Sequence, residues 1–218
     1  DIILDRAGQK GTGRWTVIEA QHLGAPIPVI EAAVGARNVS AALESRKTGE
    51  AIFGAAPHPL AATALEIADL ESALIAGKIM CYAQGFALLE IASRTFGWTL
   101  PMPAIAEVWR EGCIIRSAML NDMAQALGEA PQRNLMFAPF FSDLMQRHAP
   151  GLRKVVAVSM ASGLPVPALS AALSYFDMMR TARSTANMIQ AQRDFFGAHG
   201  FERTDLPGAH HGPWGGQV

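Results

Sequence analysis

Ten residues near the start of the chain, Ala7 to Thr16, read AGQKGTGRWT and set Lys10, the Thr12 hydroxyl and Arg14 among three glycines. Flexible glycines expose backbone N–H groups, and together with a cation, a hydroxyl and a helix expected to begin near Trp15 they can bind a phosphate. Gly8 to Gly13 reproduces the opening of the nucleotide loop G-x-x-x-x-G-K-[ST], but Arg14 and Trp15 stand where that loop needs lysine and a magnesium-binding hydroxyl. No strand of a βαβ unit can be read before it. The stretch is therefore an anion site of another kind, or only a turn.

Two other places could carry chemistry. Arg37 lies in EAAVGARNVSA, on an expected helix, either as a solvated helix-face arginine or as a ligand to an anion. Asn187 to Glu202, NMIQAQRDFFGAHGFE, crowds Gln190, Arg193, Asp194 and His199 around Phe195 and Phe196. Cations suit a helix C-terminus and Gly197 is a natural cap there, so a structural role competes with a binding role. His210 and His211 lack the helical spacing and acidic neighbours of a metal site, and no metal is expected. Cys81 and Cys113 show no C-x-x-C spacing; two buried free thiols fit a reducing, cytoplasmic setting. No G-x-S-x-G elbow is present.

The elements that must position these residues are helical. Apolar residues at three-and-four spacing (Leu65, Leu70, Leu74, Ile79, Tyr82, Phe86, Leu89) predict one long buried helix within Pro59 to Phe96. A second is expected from just after Pro103 to near Gly128. Gly77, Gly85 and Gly112 fall inside these helices, where each costs about 1 kcal/mol relative to alanine, so close helix–helix approach is expected at them. GAPIPVIEAAV (Gly24 to Val34) and GLPVPALSAAL (Gly163 to Leu173) repeat one pattern, G-x-P-x-P-x-[IL]-x-A-A-[VL], with a shorter echo at Pro101. Each predicts a helix ending near the glycine, an extended linker, and a new helix at or after the second proline. Phe176 of the second copy stands where the first has Arg37, so the shared packing does not require the arginine.

With 218 residues, half of them hydrophobic, and a formal net charge of -1, the chain can bury a sizeable core and has no global basic field. That argues against nucleic acid as a partner. Val155 to Phe176 carries no charge, but Gly163, Pro165 and Pro167 divide it into pieces too short for a bilayer, so no membrane span is expected there. The expected body is all-α, a multi-helix bundle with internally repeated units over residues 1–203. An irregular tail, 204–218, has Leu206 and Trp214 as apolar anchors able to dock on a partner. The start at Asp1 rather than methionine suggests a piece of something longer.

AGQKGTGRWT, AVGARNVSA, YAQGFALLEIASRTFGWTL, VWREGCIIRS and NMIQAQRDFFGAHGFE together closely resemble the C-terminal all-α domain of decarboxylating 6-phosphogluconate dehydrogenase, over essentially the whole chain and in the same order. The resemblance implies oxidation of 6-phosphogluconate with NADP and release of carbon dioxide to give ribulose 5-phosphate. It implies that Lys10 and Thr12 contact the substrate phosphate, that Arg37 clamps it, and that Arg193 and His199 reach the neighbouring subunit's site in a homodimer. It also implies that the NADP-binding domain, the lysine base and the glutamate acid lie upstream and are absent here, leaving the fragment inactive alone. Arg14 replaces a frequent lysine of that family and Phe195 a frequent tyrosine. Competing expectations are a non-catalytic helical dimerisation module and a β-hydroxyacid dehydrogenase relative, the latter disfavoured by the length of the bundle.

Overall fold

A computed structural model describes residues 2–214. Among them the chain forms nine α-helices, one short 3-10 turn and two two-residue strands, the expected all-α class. It divides into two compact units, residues 1–176 and 177–218.

The first unit is built around α4 (Ile67–Thr95) and α7 (Pro139–Ala161), which pack along one another. The expected long helix is there, but it starts at Ile67 rather than Pro59 because a capping box sets its origin: Asp69 accepts the Glu66 N–H at 2.9 Å while Glu66 caps the first turn. Residues 54–66 run without regular structure along the turn after α7, where His58 N–H donates to the Ser162 carbonyl at 2.9 Å. By length and composition α4 could cross a membrane, yet 56% of its most apolar stretch is buried inside the unit, as in a core helix. Close approach occurs at Gly77, where a Cβ would stand 2.8 Å from Leu169 Cδ2 of α8 (Pro167–Met179). Gly85 and Gly112 meet no neighbouring helix at all. Among glycines inside helices the tightest contact instead falls at Gly151 of α7, where a Cβ would lie 2.6 Å from that of Ser72.

The helix expected after Pro103 is two: α5 (Met102–Gly112) and α6 (Leu120–Glu129). Cys113 is extended, at φ −150° and ψ 169°, and the Tyr82 hydroxyl of α4 donates to the Ile115 carbonyl, so a tertiary hydrogen bond holds the link. The apolar period runs on through Ile114, which is 99% exposed; periodicity alone did not reveal the break.

Both full copies of the repeated pattern form the same turn. α1 (Thr12–Leu23) ends at Gly24, φ 63°, and α2 (Pro28–Ala41) starts on its proline; α7 is followed by Gly163, φ 69°, and α8 starts on its proline. Glycine tolerates this left-handed conformation without a Cβ penalty. In the echo, α5 starts one residue before the second proline. After α2, the exposed helix α3 (Leu43–Phe53) buries none of its residues.

The second unit holds the end of α8, then α9 (Ala186–Gly197) and an antiparallel pair, β1 (Phe201–Glu202) with β2 (Ala209–His210). Part of the tail expected to be irregular is thus a small hairpin; residues 215–218 of that tail lie outside the described residues. Trp214 docks on its own chain, meeting Phe195 edge-on at a 6.0 Å centroid separation.

Candidate functional site

The candidate residues fall into two groups, one in each unit. In the first, α1 begins at Gly11, which has φ 113° and gives the helix no side-chain cap; no acidic residue occupies its first turn. An uncapped helix N-terminus presents unpaired N–H groups and the positive end of the helix dipole. Thr12 opens that turn, and Lys10 sits exposed two residues earlier. The preceding loop is tied to the last turns of α2 by three residues of that helix. Ser40 Oγ accepts the Ala7 N–H at 3.0 Å and donates to the Arg37 carbonyl at 2.7 Å, Arg37 Nη2 donates to the Gly8 carbonyl, and the Gln9 amide donates to Asn38. Lys10, Thr12 and Arg37 are thereby brought to one loop. A guanidinium has five N–H donors, so holding Gly8 leaves others for an anion.

Arg46 of α3 anchors the start of the same loop. It binds the Asp5 carboxylate through Nη1 at 2.7 Å and Nη2 at 3.2 Å, and its Nη2 also reaches the Asp5 carbonyl at 2.6 Å and the Ser40 carbonyl at 3.1 Å. The Arg46 guanidinium holds the Asp5 carboxyl below the usual carboxylate range. Sequence reading passed over Arg46, Asn38 and Ser40, because nothing in their spacing marks them as loop anchors.

On its other side α1 borders a cavity of about 810 Å³ in which Thr12 and Thr16 face Tyr82, Leu89, Trp109 and Ile115. Its lining is mostly apolar. Burial pushes the Tyr82 hydroxyl and the Cys81 thiol up from their ordinary values, so neither presents a charged nucleophile.

In the second unit Arg193 and His199 line one open depression of about 400 Å³ with Gln192 and Phe196. Arg193 Nη1 donates to Gln190 Oε1 at 3.2 Å, and Gln190 Nε2 donates to the Gly200 carbonyl at 2.5 Å. The helix cap is not Gly197, as expected, but Ala198, the one non-glycine residue with positive φ (51°) among those described. The reason is space: a Cβ on Gly197 would stand 2.8 Å from His199 Nε2, so the glycine makes room for the imidazole folded back over the helix end. Ala198 then carries the backbone strain, about 1 kcal/mol.

Asp194 is the polar centre of this unit, 2% exposed. Its Oδ1 accepts the Gly200 N–H at 2.8 Å and is 2.6 Å from His211 Nδ1; its Oδ2 accepts the Gly212 N–H at 2.8 Å and the Trp214 indole N–H at 2.6 Å. These hydrogen bonds, that of Gly212 foremost, hold its carboxyl far below the usual range against the opposing effect of burial. The sequence placed Asp194 in the cluster without a role, since its partners at 211–214 are remote along the chain. No group of three or more metal-ligating side chains occurs among the described residues.

The described residues do not fit a nicotinamide dinucleotide. That group is held at the carboxyl ends of parallel strands beside a G-x-G-x-x-G turn, and the strands described here are two antiparallel pairs of residues with no such turn.

Residues 1–214 match the family described as 6-phosphogluconate dehydrogenase, C-terminal domain. The chain is 43% identical to the NAD(+)-dependent decarboxylating 6-phosphogluconate dehydrogenase of Bacillus subtilis over 219 aligned residues, 98% of this chain and 46% of that protein. It is equally identical, 43% over 217 residues with the same coverage, to the NADP(+)-dependent enzyme of that organism. Among solved structures, Plasmodium falciparum 6-phosphogluconate dehydrogenase, studied apo and in complex with its cofactor NADP+ and its substrate 6-phosphogluconate, superposes with a TM-score of 0.91 at 39% identity, over 98% of this chain and 47% of that one. The chain thus spans about half the length of the relatives it matches.

Proposed function

The chain belongs to the 6-phosphogluconate dehydrogenase family, and on that premise we propose that it is the substrate-phosphate-binding and dimer-forming part of an enzyme converting 6-phosphogluconate to ribulose 5-phosphate with NADP. The observation that carries this reading is the juxtaposition of Lys10, the uncapped N-terminus of α1 at Thr12, and Arg37 across one loop. A phosphomonoester bears nearly two negative charges, and such an anion asks for several cations, a hydroxyl donor and open N–H groups.

The phosphate lies at the end of the substrate remote from the reacting carbons. Its binding energy serves to hold those carbons against groups outside this chain, so the loop acts on rate through orientation rather than by proton transfer. The residues here bind and orient the substrate.

Arg193 and His199 are proposed to complete the clamp of a second copy of the chain. Their shared depression supports this, as does large apolar surface left open on the first unit, including Trp15, Leu74 and Val108. NADP is the proposed coenzyme; the chain is equally identical to an NAD-dependent and an NADP-dependent relative, and we place the residues choosing between the two coenzymes outside it. Two free thiols suit a cytoplasmic setting.

Titration of the chain with 6-phosphogluconate tests the reading. Arg37→Ala and Lys10→Ala should each weaken binding at least tenfold, about 1.4 kcal/mol, with helicity unchanged. Affinity unmoved by both substitutions would reject the site. Light scattering should give a dimer, and a monomer at micromolar concentration would reject the shared clamp.

A further inference from the structure

The residue that organises the second unit is not one of those expected to touch the phosphate. We infer that Asp194 is the positioning residue of the Arg193–His199 pair: its buried carboxylate fixes the Gly200 peptide and, through it, both side chains. The inference rests on the phosphate-binding reading of that pair given above.

One peptide unit links the carboxylate to the pair. Gly200 is buried, and its N–H is held by Asp194 Oδ1 at 2.8 Å while its carbonyl is held by Gln190 at 2.5 Å. Gln190 also accepts from Arg193, so the orientation of the guanidinium is tied to the same peptide. His199 is the residue immediately before it, placed between two positive-φ positions, Ala198 at 51° and Gly200 at 71°. The alanine's left-handed conformation is strained and persists only where surrounding contacts over-determine it. Asp194 supplies that determination, because its other oxygen ties in the Gly212 N–H and the Trp214 indole, closing the hairpin end back onto α9.

The carboxylate cannot be replaced by its amide. Two donors face each oxygen of Asp194. Whichever way an asparagine side chain turns, its NH₂ confronts a backbone N–H, that of Gly200 or of Gly212, and a buried donor is left unpaired. Arg193 itself lies within α9, so the substitution releases the setting of the pair rather than the pair.

The test is calorimetric titration with 6-phosphogluconate and with inorganic phosphate, alongside amide hydrogen exchange over residues 198–214. Asp194→Asn should expose the Gly200 and Gly212 amides to exchange, leave α9 protected, and weaken both ligands at least tenfold. In a His199→Ala background the same substitution should lower affinity by a much smaller factor, because it acts through that pair; a purely stabilising role would not depend on the background. Released amides with affinity within twofold of the unsubstituted chain would overturn the inference, as would unchanged exchange. If Asp194→Asn does not fold, Trp214→Phe removes one donor only and should weaken both ligands about threefold; no change there overturns the proposal equally. Arg193→Ala separates this from the underlying reading, since unchanged affinity in that variant discards the phosphate site itself.

Discussion

The α1–α2 and α7–α8 turns are two copies of one sequence pattern with one backbone solution, and they serve different ends. In each, a glycine at φ 63° or 69° stops a helix and a proline starts the next. Beyond the turn they diverge. α8 lies against the main core, burying Ala172 and Tyr175 with Phe176 packed beside them, whereas Arg37, the counterpart of Phe176, is exposed and grips the Gly8 carbonyl. The first copy buries Ala25 and Ile27 in a small cluster with Ala20 and Leu88, and places Val29 in the main core. A repeated local device specifies the turn, and the packing partner decides whether the following helix becomes core or binding surface.

Substitutions at matched positions of the two copies test this division. The largest effect is expected at Gly163, where a Cβ would lie 2.1 Å from the Ala56 carbonyl oxygen, backbone that cannot swing aside. Gly163→Ala should cost about 2–4 kcal/mol in urea unfolding, combining left-handed strain with overpacking. Phe176→Ala comes next at about 2–3 kcal/mol, for a large side chain partly buried in the core. Arg37→Ala, the same position of the other copy, should stay within about 0.5 kcal/mol in stability. Its effect should appear in sugar-phosphate binding, and a stability loss matching that of Phe176→Ala would erase the distinction. Gly24→Ala has the strain without the clash, since nothing lies within 4 Å of its Cβ position, and should cost only about 1 kcal/mol.

The smallest effect concerns acid. Because Arg46 lowers the Asp5 carboxyl in the folded state, that ion pair contributes above the unfolded carboxylate value of about 4 and is lost as pH falls through the lower folded value. Hydrogen exchange should therefore show residues 5–9 loosening below about pH 4. The second turn, with no titratable residue between Ser162 and Pro167, should not respond.

How far the molecule could be read from its sequence follows the same division between local and remote causes. Helix ends at Gly24 and Gly163 were legible because a glycine and a proline act on their own backbone. The break at Cys113–Met119 was not, since Tyr82, more than thirty residues away, takes the Ile115 carbonyl while the apolar spacing continues uninterrupted. Lys10, Thr12, Arg37, Arg193 and His199 could be singled out by type and by family likeness. Their anchors could not: Arg46 meets Asp5 across 41 positions, and Asp194 meets Trp214 across 20.

The sequence by itself thus determined the helical class, the two proline turns and the residues whose charge suits a phosphate, all properties of short stretches. Tertiary packing set which of Arg37 and Phe176 lies against the core, which glycine is crowded, and that one buried carboxylate gathers the C-terminal hairpin. Hydrogen-bond partners of a buried charge are chosen by where the chain returns, and a return path is not encoded in local spacing.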